Sequence, residues 1–166
     1  KPDVIDRALL SLKSNDFPIY YLSPRGVKLD AQISNSISKL DGMTLVCGKY
    51  EGVDERVIKH YNMIEISIGD YILSGGDLAA MVLIDSVVRC LPDVLGNPLT
   101  LKEETFTNHL LEYPLYTQPR EWKNYKVPDV LLSGDHKKIK NWKIKQSEDI
   151  TKKRRPDLWK KYLKLK

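Results

Sequence analysis

The sequence predicts an α/β protein in which a mostly parallel sheet is followed by a small helical domain. Short apolar runs alternate with helical segments up to residue 91, an order typical of parallel strands joined by helices. Beyond residue 112, basic helical patterns predominate. Two of the apolar runs, LVCGKYEG (45–52) and ISIGDYILSGGD (66–77), end in glycines. Such a turn brings bare backbone N–H and C=O groups up to a ligand.

The elements of the first part follow in order. A helix over 3–12 precedes a short strand, IYYLS (19–23), which we expect to stop at Pro24 and Gly26. The next elements are a helix over 29–40, a buried strand over 44–48, a polar helix after a turn within 52–60, and a strand over 63–69 followed by a turn over 71–76. Asp77 is expected to cap a helix over 78–91, which is apolar on nearly every face and should therefore be buried.

Prolines and glycines then mark a domain boundary. We predict a first domain over 1–96, a linker with one helical patch over 97–112, and a basic helical domain over 113–166. The last domain holds a Val-Pro-Asp turn, the short run VLLSGDH, a basic helix from 137 to about 146, and a helix from Pro156 with Leu158, Tyr162 and Leu165 as its apolar stripe.

Composition limits the class of protein. The 166 residues are 42% hydrophobic and 30% charged, which is ordinary for a globular protein. No apolar run approaches the ~20 residues that span a bilayer, and no signal peptide pattern leads the chain. We therefore expect a cytoplasmic protein without membrane contact. The two cysteines, Cys47 and Cys90, are predicted to be buried thiols, and the three histidines form no metal-ligand cluster.

The charge is unevenly distributed. Residues 136–166 carry 13 Lys and Arg against 3 acidic residues, which leaves 14 of the 27 basic and 19 of the 22 acidic residues to the rest of the chain. A mildly acidic body with a basic end is consistent with an enzyme core joined to a polyanion-binding element. A solvated, lysine-rich surface is the alternative. Neither glycine run fits GxGxxG or the phosphate loop, so a standard nucleotide loop is not indicated.

Several collinear segments resemble one enzyme family. They are YLSPRG (21–26), LVCGKYEGVDERV (45–57), SIGDYILSGGDLAAMVLID (67–85), LPDVLG (91–96), YTQP (116–119), VLLSGDH, and KQS followed by RRPDL. Together they are similar to the bacterial tRNA (guanine-N1)-methyltransferases of the SPOUT class. The resemblance implies a trefoil-knotted α/β domain, a helical C-terminal domain and a homodimer. It also implies methylation of guanosine N1 at tRNA position 37, 3′ of the anticodon, when another guanosine precedes it. The implied methyl donor is S-adenosylmethionine, with S-adenosylhomocysteine as product.

The resemblance assigns three donor-binding loops to this chain. They consist of Tyr21, Leu22, Ser23 and Pro24; of Gly48, Tyr50, Glu51 and Gly52; and of Ile68, Gly69, Asp70, Tyr71, Ile72, Leu73, Gly75 and Gly76. An adenine ring needs an apolar slot with backbone donors and acceptors, which apolar side chains beside glycine turns supply. Core packing for the apolar members, and simple turn chemistry for the glycines, are the alternatives.

Two catalytic residues follow from the same resemblance. The family's general base is a linker aspartate, and Glu104 occupies the matching position, with Glu103 as its rival. A carboxylate there would take the N1 proton, which contributes typically ~10²–10⁴-fold in rate. Arg89 matches the family's catalytic arginine and would neutralise charge on the guanine O6. The alternative for Arg89 is an i,i+4 pair with Asp85.

The basic end would contact the tRNA backbone. The residues concerned are Lys137, Lys138, Lys140, Lys143, Lys145, Lys152, Lys153, Arg154 and Arg155, and such contacts give salt-sensitive affinity with little sequence choice. Gln118 departs from the arginine usual in YTRP. Family members carry an N-terminal portion that would precede Lys1, so we expect a sheet with fewer strands and an exposed edge. The other functions considered are an inactive RNA-binding relative of the family and a nicotinamide enzyme.

Overall fold

The computed structural model describes residues 1–12, 16–49, 51–94 and 105–166. The chain forms two compact units, Lys1–Gly96 and Asn97–Lys166. We call the first the donor unit and the second the basic unit, and each is described by itself.

The donor unit is built on a three-stranded parallel sheet. Its strands are β1 (Ile19–Lys28), β2 (Thr44–Val46) and β3 (Ile64–Ser67), in the spatial order β2-β1-β3. Tyr20 lies opposite Leu45 of β2 and Ile64 of β3. The helices are α1 (Pro2–Leu10), α2 (Ala31–Ile37), α3 (Glu55–His60) and α4 (Asp77–Val88). The prediction of an α/β domain with a parallel sheet is confirmed.

Helices cover both faces of this sheet because successive side chains of β1 point to opposite sides. Tyr20 and Leu22 belong to a core cluster that includes Leu83 of α4, and α4 packs there beside α2. Tyr21 points the other way, into a cluster with Val57 and Ile58 of α3, where α3 packs against α1. The donor unit is therefore a three-layer α/β/α arrangement.

Strand β1 does not stop where the sequence predicts. It continues through Pro24 and Gly26 to Lys28, with a shift of register against β3 between Leu22 and Val27. A β-bulge of this kind accommodates residues that a regular strand would exclude. A Cβ at Gly26 would lie 2.4 Å from the backbone carbon of Glu65, so only glycine fits at this approach of β1 to β3.

Helix α4 corrects two expectations. Asp77 is its first residue rather than its cap, and Gly76 is the N-cap. Only one face is buried, with Leu83 fully covered. The opposite face leaves apolar side chains 38–64% exposed: Leu78, Met81, Val82, Ile84 and Val88. The prediction that α4 is buried on all sides is therefore wrong for the described residues of one chain.

The basic unit is mainly helical. It begins, where described, with a short 3-10 segment (Thr107–His109) and a hairpin of β4 (Glu121–Trp122) and β5 (Tyr125–Lys126) that the sequence analysis does not predict. Three helices follow, α5 (Asp129–Leu132), α6 (His136–Arg154) and α7 (Pro156–Leu163). Helix α6 extends well beyond the predicted end near 146 and stops just before Pro156, since the residue before proline disfavours the helical conformation.

A buried threonine anchors α6 within the basic unit. The Thr151 hydroxyl is fully buried, donates to the Ser147 carbonyl at 2.6 Å and accepts from the Leu111 N–H at 2.8 Å. Leu158 of α7 is buried as predicted, whereas Leu165 lies beyond the helix and is 65% exposed. The predicted apolar stripe of the last helix is therefore shorter than expected. Among the described residues, no helix combines the length and apolar character that crossing a membrane requires.

Candidate methyl-donor cleft

The three predicted loops meet at one end of the sheet. Because β1, β2 and β3 are parallel, their carboxyl ends lie at the same edge. The connection from β1 leads to β2 on one side, and the following connection leads to β3 on the other. Ligand clefts form at such a switch in strand order. A cleft of about 460 Å³ opens there, within the usual range of small-molecule sites.

This cleft is lined by nearly every donor-loop residue that the resemblance assigns. The members present are Tyr21, Leu22, Ser23, Pro24, Gly48, Glu51, Gly52, Ile68, Gly69, Tyr71, Ile72, Leu73, Gly75 and Gly76. Tyr50 is outside the described residues. Asp70 is not in the lining; its carboxylate lies 3.2 Å from the Lys28 ammonium and is largely exposed.

Tyr21 joins the first loop to the second. Its side chain is 6% exposed, and its hydroxyl accepts a hydrogen bond from the Val53 N–H at 3.2 Å. A Cβ at Gly48 would lie 3.3 Å from the Tyr21 ring, and a Cβ at Gly52 would lie 3.1 Å from the Tyr21 hydroxyl. Tyr21 therefore supports the second loop from beneath, in addition to lining the cleft.

The second and third loops are held together through their backbones. The Gly76 N–H donates to the Gly48 carbonyl at 2.8 Å, and Lys49 forms a bridge with Gly75. A Cβ on Gly76 would lie 3.0 Å from the Cys47 Cα, closer than side chains normally approach a backbone. Glycine at position 76 therefore permits the contact between the two loops. Helix α4 begins directly after it.

A buried serine organises the start of the third loop. The Ser67 hydroxyl accepts from the Gly69 N–H at 3.2 Å and donates to the Gly69 carbonyl at 3.1 Å. Beyond it, Tyr71 is 55% and Ile72 78% exposed. The loop thus presents apolar side chains around a rigid turn. Core packing, the alternative considered for Ile72, does not hold in the described chain.

Charged residues missed by the sequence analysis form the rim of the cleft. The Arg25 guanidinium hydrogen-bonds to Glu55 at 3.1 Å and Glu65 at 3.2 Å. These hydrogen bonds and the two negative charges raise the pKa of Arg25. Arg25, Glu55 and Lys49 all line the cleft. The Pro24-Arg25-Gly26 sequence is a signal for Arg25, but its pairing with β3 and α3 depends on the fold.

Of the two candidate catalytic residues, only Arg89 belongs to the described part of the chain. Glu104 and its rival Glu103 are outside the described residues. Arg89 is exposed and follows the last residue of α4, with its N–H donating to the Asp85 carbonyl at 3.2 Å. It lies thirteen residues after Gly76, which at 1.5 Å per helical residue is about 20 Å along the axis. Arg89 is absent from the lining of the cleft of its own chain.

The predicted phosphate-contacting residues lie on α6 and its junction with α7. Most are exposed, whereas Lys143 and Arg155 are half-buried. The Lys143 ammonium lies 4.4 Å from the centroid of the Tyr113 ring. Arg155 forms a two-bond pair with Asp157, at 2.9 and 2.6 Å, which lowers the pKa of that carboxyl to about 2. Gln118 lines a separate cleft with Tyr116 and Arg120.

The cysteines are not both buried. Cys47 is exposed and Cys90 half-buried, because β2 ends at Val46 and Cys47 lies in the loop that follows. Partial burial of the thiol and, as the smaller cause, the negative charge of Asp77 raise the pKa of Cys47. Within the described ranges, no three His, Cys, Asp or Glu residues are grouped as metal ligands.

The chain is similar in sequence to one family of known enzymes. The family model described as tRNA (Guanine-1)-methyltransferase TrmD matches residues 1–161. The tRNA (guanine-N(1)-)-methyltransferase of Pelagibacter ubique is 53% identical over 164 residues, which cover 99% of this chain and 72% of that protein. The enzyme of the same name from Ruegeria pomeroyi is 48% identical over 98% of this chain and 68% of its own length.

A third relative carries the same name. The tRNA (guanine-N(1)-)-methyltransferase of Ehrlichia canis is 49% identical over 95% of this chain and 68% of its own length. The match is therefore nearly complete for this chain, in agreement with the collinear segments seen in the sequence. The chain belongs to the tRNA (guanine-1)-methyltransferase family TrmD.

Proposed function

We propose that this chain transfers a methyl group from S-adenosylmethionine to N1 of guanosine 37 in tRNA, where a guanosine precedes the target. One observation carries the proposal: the family match over residues 1–161 coincides with a cleft lined by residues of all three predicted loops. The function is that of an enzyme family to which the chain belongs, and the cleft offers a place for the donor.

The cleft fits a donor of this size and chemistry. Its volume of about 460 Å³ suits a small-molecule cofactor, and glycines of the second and third loops, Gly48, Gly52, Gly75 and Gly76, are part of its lining. Ile68, Tyr71 and Leu73 would flank the adenine ring. The donor supplies an electrophilic methyl carbon on a sulfonium sulfur.

The protein's residues would contribute positioning, proton removal and charge neutralisation. Holding the guanine N1 in line with the methyl carbon can supply up to ~7–11 kcal/mol of the barrier reduction. Glu104 would accept the proton that N1 loses. Arg89 would stabilise the negative charge that then develops on the guanine O6.

A second copy of the chain is part of the proposal. Arg89 is about 20 Å along α4 from the Gly76 end of its own cleft, too far to contact a guanine bound there. The exposed apolar face of the same helix, which includes Met81 and Val82, is of a kind that marks association surfaces. A homodimer in which α4 packs against the partner would cover this face and bring an arginine to each cleft.

The basic unit would bind the tRNA. Between residues 113 and 166 there are 16 Lys and Arg and 6 acidic residues, and most of the predicted contacts on α6 are exposed. Phosphate contacts of this kind supply affinity. The trefoil knot and the cytoplasmic location implied by the resemblance belong to the same proposal. The parallel order β2-β1-β3, with β1 between two later strands, supports the fold assignment.

Methyl transfer can be tested with a radiolabelled donor. The chain is incubated with unmodified tRNA that carries guanosines at positions 36 and 37, and with a control tRNA in which adenosine replaces the first of them. We expect label in the first tRNA, with N1-methylguanosine as product, and little in the control. Donor binding without incorporation would instead favour the inactive RNA-binding relative.

Glu104→Gln tests the proposed base. The variant should bind S-adenosylmethionine as the wild type does and lose at least ~100-fold in turnover, the lower part of the range for general-base catalysis. Glu103→Gln is the matched control and should keep most of its activity. Unchanged turnover in Glu104→Gln would assign the base to Glu103 or to the substrate. Sedimentation should also show a dimer, and an active monomer would contradict the proposed assembly.

A further inference from the structure

A two-residue turn in the basic unit displays two aromatic side chains. Strands β4 and β5 pair Trp122 with Tyr125, and the pair directly flanks the turn residues Lys123 and Asn124. Both turn residues have positive φ, 48° and 65°, which is the backbone of a type I′ hairpin. Because residues directly opposite each other in a hairpin share a face, both aromatic side chains project from the same face of the hairpin.

Both aromatic side chains are too exposed to contribute to a packed core. Trp122 is 60% and Tyr125 76% exposed, whereas large aromatic side chains are usually well covered. The other cross-strand pair, Glu121 with Lys126, faces the opposite side. The hairpin therefore has one aromatic face and one charged face.

One positive charge lies beside the aromatic face. The Lys123 ammonium lies 4.9 Å from the centroid of a Trp122 ring. At the base of the hairpin, where the Val127 N–H donates to the Arg120 carbonyl at 2.9 Å, a cleft of about 600 Å³ is lined by Gln118 and Arg120. A partner that contacts Trp122 would therefore also meet the Lys123 ammonium, which favours a ligand that carries phosphate groups, such as a nucleotide.

We propose that Trp122 and Tyr125 form a stacking platform for unpaired nucleobases of the tRNA, with Lys123 beside it as a phosphate contact. The inference rests on the proposed function for the identity of the RNA. It adds to that function a base-contacting element, distinct from the backbone contacts expected of α6. Stacking accepts any base, so the platform would orient the RNA without specifying its sequence.

Binding of a labelled tRNA to the full chain tests the platform. Trp122→Ala and Tyr125→Ala should each weaken binding about 5- to 150-fold, the equivalent of ~1–3 kcal/mol per stacked base. Trp122→Phe and Tyr125→Phe retain a ring and should stay close to wild type. Leu165→Ala removes an equally exposed apolar side chain from the same unit and should change nothing. Alanine variants with wild-type affinity would overturn the proposal.

The salt dependence separates stacking from charge. The ring variants should lower the affinity at every salt concentration without changing the slope of log K against log salt. Lys123→Gln should reduce that slope by about 0.7, the contribution of one phosphate contact on a single strand. A slope that changes in Trp122→Ala, or an alanine variant that loses self-association instead of RNA affinity, would refute base stacking.

A separate readout distinguishes this inference from the proposed function. Donor affinity, measured by calorimetry, should be unaffected in Trp122→Ala because the rings lie in the basic unit. If the wild-type chain bound tRNA but did not methylate it, the proposed function would fail and the platform would still be testable by binding. If methylation proceeded and the KM for tRNA were unchanged in both alanine variants, the platform alone would fail.

Discussion

Gly26→Ala tests how closely the two strands beside the donor cleft must approach. In the wild-type structure a Cβ at position 26 would lie 2.4 Å from both the Glu65 carbon and the Ile66 nitrogen. Both atoms belong to the backbone of β3, so neither can move away as the end of a flexible side chain could. The strands would have to separate by roughly 1 Å to restore an ordinary van der Waals contact.

The expected loss of stability follows from the hydrogen bonds that pair β1 with β3 beyond the bulge. There Val27 lies opposite Ile66 and Lys28 opposite Ser67, and the Leu29 N–H donates to the Ser67 carbonyl at 2.8 Å. Stretching two or three such hydrogen bonds by 1 Å removes about 1 kcal/mol each. Alanine in the unfolded chain offsets ~0.4–1 kcal/mol through lower entropy. We therefore expect the free energy of unfolding to fall by about 2 kcal/mol.

Urea unfolding followed by far-UV circular dichroism measures this loss. Hydrogen exchange locates it, with faster exchange expected in peptides covering β1 and β3. Gly75→Ala is the matched control: the nearest atom to its Cβ would be the Lys49 Cγ at 3.2 Å, in an exposed side chain that can turn aside. Equal stability losses in the two variants, or unchanged exchange in β1 for Gly26→Ala, would refute the steric reasoning.

Two further predictions concern pH and donor binding. Hydrogen bonds from Lys166, at 2.7 Å, and then from a tyrosine hydroxyl lower the pKa of Glu148. Since a lowered carboxyl pKa stabilises the fold above the unfolded value, Glu148→Gln should lower the Tm at pH 7, and its difference from wild type should shrink as the pH falls below ~4.3. A difference as large at pH 3 as at pH 7 would contradict the ion-pair origin. Gly76→Ala should weaken donor binding about tenfold, because a Cβ 3.0 Å from the Cys47 Cα adds ~1–3 kcal/mol of overpacking. Calorimetry on Leu165→Ala, which truncates an exposed side chain of the basic unit, is the control and should show wild-type affinity.

Much of the candidate cleft could be predicted because its residues are recognisable locally. A short apolar run followed by glycines predicts a strand end with an accessible backbone, and the second and third loops have that pattern in the sequence. The sequence pattern does not show which hydrogen-bond partner each side chain of the cleft has. That the Tyr21 hydroxyl holds the Val53 N–H, and that Arg25 is held between Glu55 and Glu65, depends on strands brought together from distant positions.

The errors in the fold have the same origin. Pro24 and Gly26 are strand breakers in isolation, but pairing with β3 across a bulge carries β1 past both. Helix α4 has apolar residues on nearly every side, so its sequence cannot say which face the sheet covers. The hairpin with Trp122 and Tyr125 escaped prediction since its strands are only two residues long, too short for an alternating pattern.

By itself the sequence determined the order of strands and helices in the donor unit, the location of the glycine loops, the basic character of the C-terminal end and membership of the methyltransferase family. These properties are carried by composition, by short-range periodicity and by collinear segments, all of which are present in the unfolded chain. Only the tertiary structure decided the register of β1 on β3, the contact of Gly76 with Gly48, and the exposure of one face of α4 and of the hairpin aromatics. Each of these depends on which distant backbone or side chain occupies the neighbouring space, because packing and hydrogen bonding in a folded chain are set by three-dimensional proximity rather than by sequence separation.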